Sequence, residues 1–433
     1  MSHTRDPYVS FVLATYNRRA VVAETLARVH QCGLDRRDYE IVVVDNASND
    51  GTVEAISPQG DVVVRLRRNA GSCAKADGVD RAGGRFIVFL DDDSYPRPGS
   101  VERMIGHFEK DPELGAAGFV VHLPDGRQEG SALPDVFLGC GVGFRAEALR
   151  QAGGLDRSFF MQAEEYDLTF RLVSTGWRVR MCDDLHVDHL KTLCARRTER
   201  TTFYDIRNNL RVVERYLPAP YFKIYRADCV QRYAWLAQRD GHARAFLRGV
   251  LSGTVNGAVE RRTHRAYRLS PEAIEHFFRW NYLRERICEL AVSGLRRIVL
   301  ADLGKNVFAY YRAAQEAGVE IPAIGDDRFY EPHRYYRGVR VLALEDALAL
   351  RPDAVVVANS SMVHGTDTYR RLRGRVEAPV YHWFSPLETA APREIRSLDT
   401  LETADIQCAE RTSERRSAKP LSLPGRGVGV RVD

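Results

Sequence analysis

Nowhere in this chain do two cysteines stand three residues apart. The eight cysteines (Cys32, Cys73, Cys140, Cys182, Cys194, Cys229, Cys288 and Cys408) are scattered. That scatter argues against a zinc ribbon or a disulfide framework and predicts a reduced, cytoplasmic setting. Long apolar runs are missing too. None approaches the roughly 18–20 residues that span a bilayer, so any membrane contact is expected to be peripheral, at the inner face. The opening "MSHTRDPYVSFVLATYNRR" enters a strand-like run directly and lacks the apolar core of a signal peptide. Charge of one sign is also lacking: 63 basic residues stand against 58 acidic ones, a formal net charge of +5. So small an excess excludes nucleic acid as an expected partner but leaves room for a local basic patch. Glycine-rich phosphate loops are absent as well. "ATYNRR" has no glycine, and "ADLGKN", in the later part of the chain, has only Gly304.

What is present is an ordinary globular balance over 433 residues, 44% hydrophobic and 28% charged, long enough for two or three domains. Strand and helix signals alternate at first. "YVSFVLATYN", "YEIVVVDNAS", "DVVVRLR" and "RFIVFL" read as strands, the second too uniformly apolar to be half-exposed. "RRAVVAETLARVHQ" has the apolar spacing of a helix. Repeated β-α-β units predict a largely parallel sheet with helices on both faces and a ligand site beyond the carboxyl ends of the strands. "GAAGFVV" and "WRVRMCDDLHVDHL" read as further strands. "FRAEALRQAGG" and "AEEYDLTFRLVSTG" read as helices, the latter with its acids in the first turn. The expected division is an α/β domain over residues 1–194, a mainly helical accessory region over 195–295, a smaller Rossmann-like α/β domain over 296–390 and an extension over 391–433. The last part of that extension, rich in charge, proline, glycine and serine, reads as disordered.

The apolar run Phe86 to Leu90 stops at Asp91-Asp92-Asp93. Three adjacent carboxylates repel one another and resist desolvation, so a cation is expected there. Mg²⁺ and Mn²⁺ take one or two carboxylates together with phosphate oxygens and water. Four features follow in fixed order: "ATYNR", "VVVDNASNDGT", "FLDDD" and "AEEYDLTFRL". Together they resemble a family 2 glycosyltransferase of the inverting GT-A type over roughly residues 8–190. "YDIRNNLRVVERYLP" more loosely resembles the accessory region of rhamnosyltransferase-like members.

The resemblance implies a nucleotide-sugar donor, UDP- or dTDP-linked, and a Mn²⁺ or Mg²⁺ ion. Asp93 would be the direct metal ligand. Asp91 or Asp92 would contact ribose or metal-bound water, with Asp91 a second candidate ligand. Asp45 would accept from the imide N–H of uracil or thymine, which suits a group that only accepts; an Asx-turn or helix cap is its structural alternative. Thr15 and Tyr16 would flank the base, with Asn17 and Arg18 beside them. Lys75 is the local candidate for the diphosphate. Glu165 would be the general base, with Glu164 beside it, and Asp167 would brace the helix through an i,i+4 pair with Arg171. His189 or His186 would reach the metal or diphosphate. Gly139 and Gly141, in "FLGCGVGF", would let the chain pass beneath sugar and acceptor. Asp156, in "GGLDRSFF", reads as a turn-former.

Lys191, Arg196, Arg197, Arg200, Arg207, Arg211 and Arg215, with aromatics Tyr216, Tyr221, Phe222 and Tyr225, read either as a patch for an anionic partner or as a solvated helical face. The later α/β unit has no catalytic set, and a structural or partner-binding role is expected ahead of its alternative, a bound nucleotide or sugar; Asp326 and Asp327 are its first candidates for function. The expected activity is transfer of a sugar to a glycan, a lipid-linked or a small-molecule acceptor, in cell-envelope or extracellular glycan assembly, with oligomerisation open. A non-catalytic nucleotide-sugar-binding or scaffold protein and a sugar nucleotidyltransferase are the alternatives.

Overall fold

A computed structural model describes residues 7–190 and 198–384. Lys191, Arg196, Arg197, Cys194, Cys408 and the C-terminal extension lie outside the described residues.

The first strands form where the apolar runs predicted them: β1 (Val9–Thr15), β2 (Tyr39–Asp45), β3 (Val62–Arg65) and β4 (Phe86–Asp91). Their crossovers carry α1 (Arg19–Val29), α2 (Thr52–Ile56) and α3 (Lys75–Val79). After β4 come β5 (Ser94–Pro96), α4 (Ser100–Lys110), β6 (Leu114–His122), β7 (Gln128–Glu129) and β8 (Gly141–Arg145). Then follow α5 (Ala146–Gln151), α6 (Glu164–Ser174) and β9 (Arg178–His189).

The order is β3-β2-β1-β4-β8-β6-β9-β5, with β7 on β6. Only half of this sheet matches the expected parallel architecture. β3, β2, β1 and β4 pair in parallel, but β8 enters antiparallel to both β4 and β6. The sheet is therefore mixed. The strand β8 was hidden in sequence because "GVGFR" carries little apolar signal. Its glycines serve close packing instead: a Cβ on Gly143 would collide with Met104, and one on Gly141 with Val187.

Five helices follow: α7 (Glu199–Tyr216), α8 (Tyr221–Asp240), α9 (Ala243–Thr263), α10 (Pro271–Phe278) and α11 (Trp280–Val292). α9 lays Gly249, Gly253 and Gly257 directly on α7, where added Cβ atoms would meet Ile206, the Arg207 backbone and Glu214. The second α/β unit contains β10 (Ile298–Ala301), α12 (Val307–Ala317), β11 (Ile324–Gly325), β12 (Tyr335–Tyr336) and β13 (Val339–Leu342). It closes with α13 (Leu344–Leu348), β14 (Ala354–Val357), α14 (His364–Leu372) and β15 (Val380–Tyr381). Its sheet order is β12-β13-β11-β10-β14-β15, parallel except for β12 on β13.

One apolar core runs from Phe159 and Phe170 through Tyr216 and Trp280 to Leu300 and Val356. The second unit is thereby packed onto the helices, and polar contacts fix its register. Tyr225 donates to Asn306 Oδ1 at 2.5 Å, and Arg337 pairs with Asp228 at 2.6 Å. No disulfide joins the described cysteines. No helix among the described residues is long and apolar enough to cross a membrane.

Candidate active site

A cleft of about 910 Å³ opens at the carboxyl ends of β1 and β4. Its floor is the acidic turn after β4. Asp92 turns back onto β1, accepting from Thr15 Oγ1 at 2.8 Å, while its carbonyl accepts from Thr25 Oγ1 at 2.8 Å. Burial, only partly offset by Arg18, pushes the Asp92 carboxyl up to about 6. Asp93 pairs with Arg18 at 2.9 Å and with His189 Nε2 at 3.1 Å. Burial alone would raise Asp93, but His189 and Arg18 outweigh it and hold it below its usual range. Arg18 also reaches Asp92 at 3.4 Å, so this exposed-looking arginine of "ATYNRR" is a counter-ion of the acidic turn.

His189, at the end of β9, is the histidine that meets the acids. Its second nitrogen lies 3.0 Å from Glu129 Oε2. Burial would lower its pKa, but Asp93, Cys140 and Glu129 together push it up to about 12. The competitor His186 sits 3.1 Å from His122 and away from the cleft lining. Donor atoms of Asp91, Asp93 and His189 lie within 4.8 Å of one another. Two carboxylates and an imidazole fit Mn²⁺, and the carboxylates alone fit Mg²⁺.

Lys75 is buried, not a surface lysine. Its Nζ donates to Asp91 Oδ1 at 2.6 Å and to the Gly139 carbonyl at 2.8 Å. Burial acts against its charge, yet the adjoining Asp91 makes the net shift upward. Gly139 lines the cleft, where a Cβ would stand 3.5 Å from Glu165 Oε1 and 3.9 Å from Lys75 Nζ. Gly141 does not: it packs under β9 against Val187, a correction to its expected place beneath the substrate.

Tyr16 lines the cleft and is 45% exposed. Asn17 takes a positive φ of 51° and straps the β1 loop to the β2 loop, donating its N–H to Ser48 Oγ and accepting from the Asn49 N–H, both at 2.9 Å. Asp45 is buried and accepts the Ser48 N–H at 3.3 Å in an Asx-turn. It is absent from the lining, whereas its neighbour Asn46 is present there.

α6 brings Glu164 and Glu165 into the same cleft lining. Glu164 accepts from Ser72 Oγ through Oε1, while its Oε2 is buried without a partner. Burial first, then mutual repulsion and Asp91, hold the Glu165 carboxyl well above the ordinary carboxylate range; burial raises Glu164 in the same way. Asp167 pairs with Arg171 at 2.7 Å, but it has a larger role than an i,i+4 brace. Its other oxygen accepts from Arg215 and from Tyr216 Oη, both at 2.6 Å.

That contact corrects the reading of the basic helix. Arg211 and Arg215 are each only 3% exposed and pair with Glu260, and Arg215 also pairs with Asp156 at 2.7 Å. Tyr216 and Tyr225 are buried in the core. Neither a solvated face nor a membrane patch fits these four. Asp156 does form a turn, accepting from Ser158 N at 2.9 Å.

The loop before α6 was not legible in sequence. Phe160, Gln162 and Ala163 all take positive φ, at 67°, 70° and 65°, a costly arrangement for residues with a Cβ. Asn208 of α7 holds it. Its amide donates to the carbonyls of Phe159 at 3.0 Å, Met161 at 2.7 Å and Gln162 at 2.8 Å. Gly71, at φ 71°, lies so close that a Cβ there would collide with the Phe160 carbonyl. The paired asparagines of "IRNNL", polar residues inside an otherwise apolar helical pattern, were the available signal.

The second unit also reaches the cleft. Gly304, Lys305, Arg328, Asn359 and His364 all line it. Asp326 and Asp327, its expected functional acids, are instead backbone caps. Asp326 accepts from the N–H groups of Leu303, Arg328 and Phe329, and Asp327 from that of Leu344.

A half-parallel sheet with an acidic turn after its fourth strand, sharing a cleft with the glutamate pair of α6, defines a GT-A-type α/β fold. Residues 10–149 match the Glycosyl transferase family 2 model. The chain is 34% identical to the uncharacterized glycosyltransferase YwdF of Bacillus subtilis over 23% of its own length and 38% of the relative's. It is 26% identical to the putative teichuronic acid biosynthesis glycosyltransferase TuaG of the same organism, over 31% and 60%. It is 38% identical to the succinoglycan biosynthesis protein ExoO of Rhizobium meliloti, over 23% and 29%. The chain thus spans less than two thirds of these relatives. Among solved structures, the mannosyltransferase PcManGT of Pyrobaculum calidifontis overlaps 60% of this chain and 88% of its own at 19% identity and a TM-score of 0.42. S. aureus TarS overlaps 76% and 56% at 15% and 0.41.

Proposed function

We propose that the chain is an inverting glycosyltransferase that uses a UDP- or dTDP-sugar and a divalent cation, in cell-envelope or extracellular glycan assembly. The observation that supports this reading is that Glu165, Asp91 and Asp93 line one cleft, with Gly139 and Lys75 between Glu165 and Asp91. Asp93, Asp91 and His189 would hold Mn²⁺ or Mg²⁺, which when bound neutralises charge on a departing diphosphate. Tyr16, exposed in the lining, would stack on the base. Asp45 keeps spare lone pairs for an imide N–H, but its burial outside the lining would have to be relieved first; Asn46 lines the cleft with its amide bonded to the Gly71 carbonyl and the Ala70 N–H.

Glu165 would remove the proton from an acceptor hydroxyl as that oxygen bonds to the anomeric carbon and the bond from that carbon to the diphosphate breaks. A single displacement inverts the anomeric centre. The raised pKa of Glu165 supports the assignment, because a base poised near neutrality accepts a hydroxyl proton better than an ordinary carboxylate does.

A thermal-shift series with UDP, dTDP and GDP, with and without Mn²⁺, tests the donor. A Mn²⁺-dependent rise with UDP or dTDP, lost in Asp93→Ala, is expected. Glu165→Gln should keep that rise while losing about 10²–10⁴-fold in transfer rate. No nucleotide-dependent rise in well-folded protein would overturn the reading and favour a scaffold role.

A further inference from the structure

The cleft lining is unevenly charged. The strands and the turns after them contribute Asp91, Asp92, Asp93 and Glu129, with Arg18 and Lys75 beside them. The helices α7 and α8 and the second α/β unit contribute Arg200, Arg232, Lys305 and Arg328, with Asp205 among them. Four cations converging from four separate segments repel one another, and nothing in the folding of any one segment requires the others to be there. Arg200 leaves α7 and lies 4.5 Å from the Phe160 ring. Arg232 leaves α8, donates to the Leu303 carbonyl and lies 4.7 Å from the Phe329 ring. Lys305 leaves the turn after β10, donates to Asn209 Oδ1 at 3.2 Å and stands 4.9 Å from the centre of the Tyr166 ring.

Tyr166 directly follows Glu165 on α6. Arg200 and Lys305 thus lie against Phe160 and Tyr166, in the loop and helix α6 that carry the base and that an acceptor hydroxyl must approach, whereas the acidic turn that would take the donor's diphosphate is paired with Arg18 and Lys75. Guanidinium groups match phosphate oxygens bidentately, and a lysine ammonium supplies a compact positive charge beside them.

We propose that the second α/β unit, through Lys305 and Arg328 and together with Arg200 and Arg232, forms a subsite for a phosphate or diphosphate group carried by the acceptor. This rests on the glycosyltransferase reading and deepens it. The unit is then part of the active site: it recognises the acceptor, which explains why it is packed onto the helices instead of being held by a linker.

The test is calorimetric titration of the full chain with inorganic pyrophosphate and with farnesyl diphosphate in EDTA, where the carboxylate end repels anions. Wild type and Asp93→Asn are expected to bind alike, and Lys305→Gln with Arg328→Gln to weaken binding at least tenfold. Arg328→Gln alone, at an exposed position, keeps the test decisive if the Lys305 change impairs folding, and should weaken binding severalfold. Tighter binding of farnesyl diphosphate would assign a lipid-linked acceptor, and equal binding a soluble phosphorylated one; either supports the subsite. No binding by wild type, or binding unchanged in both variants, overturns it. So does an equal loss of Mn²⁺-dependent UDP binding in the same variants, which would place these cations on the donor. Failure of UDP to bind wild type would instead remove the donor reading, so the two outcomes are separable.

Discussion

Asp167 Oδ1 lies 2.6 Å from Arg215 Nη1, and both side chains are almost wholly buried. This ion pair joins α6, which carries Glu165, to α7, and Glu260 and Asp156 extend it. Removing one member of a buried pair leaves the other charge without compensation, at about 3–5 kcal/mol. Asp167→Asn should therefore lose stability of that order in urea unfolding. A double-mutant cycle with Arg215→Met should return a large coupling energy.

Asn208 holds three carbonyls, those of Phe159, Met161 and Gln162, in the loop that leads into Glu164 and Glu165. Each unsatisfied buried carbonyl costs about 1–3 kcal/mol. Asn208→Ala is expected to destabilise the protein moderately but to reduce kcat out of proportion, because the loop relaxes from its positive-φ conformation. The check is kcat measured well below the melting temperature, with nucleotide binding unchanged.

Gly71→Ala tests the same loop from the other side. The new methyl would meet the Phe160 carbonyl, and φ at this position is 71°. Overpacking of this kind costs about 1–3 kcal/mol. Loss of activity with retained secondary structure by circular dichroism is expected.

The glutamate pair gives a pH dependence. Burial and mutual repulsion raise both carboxyl groups above the usual value of 4.5. The native state then binds these protons more tightly than the unfolded chain does, so the pair favours folding at low pH and costs stability as pH rises through its raised range. Activity needs the ionised base and should climb over that same range. Glu164→Gln removes the repulsion. It should move the acidic limb of the rate profile to lower pH and raise the melting temperature more at alkaline than at acid pH.

Much of this was legible in the linear chain. "FIVFLDDD" announced a strand ending in a cation-seeking turn, because five apolar residues followed by three carboxylates have few other uses. "AEEYDL" announced acids at a helix start, and their order with "ATYNR" and "VVVDN" carried the family. Local pattern sufficed because each feature is set by residues within one strand or one turn.

What the sequence could not decide was every property that depends on which distant segments meet. Arg211 and Arg215 have the spacing of a solvated face, yet they are buried because Glu260 and Asp156 arrive from elsewhere in the chain to neutralise them. Asp326 looks like a free acid until the N–H groups of Leu303 and Phe329 are seen to occupy it. Lys305 lies 140 residues from Glu165 in sequence and reaches the same cleft only because one apolar core seats the second unit on α7 and α8. Charge and hydrogen-bond satisfaction are pairwise in space, so the chain alone names the groups, and the tertiary structure decides which of them are satisfied and which are left for a ligand.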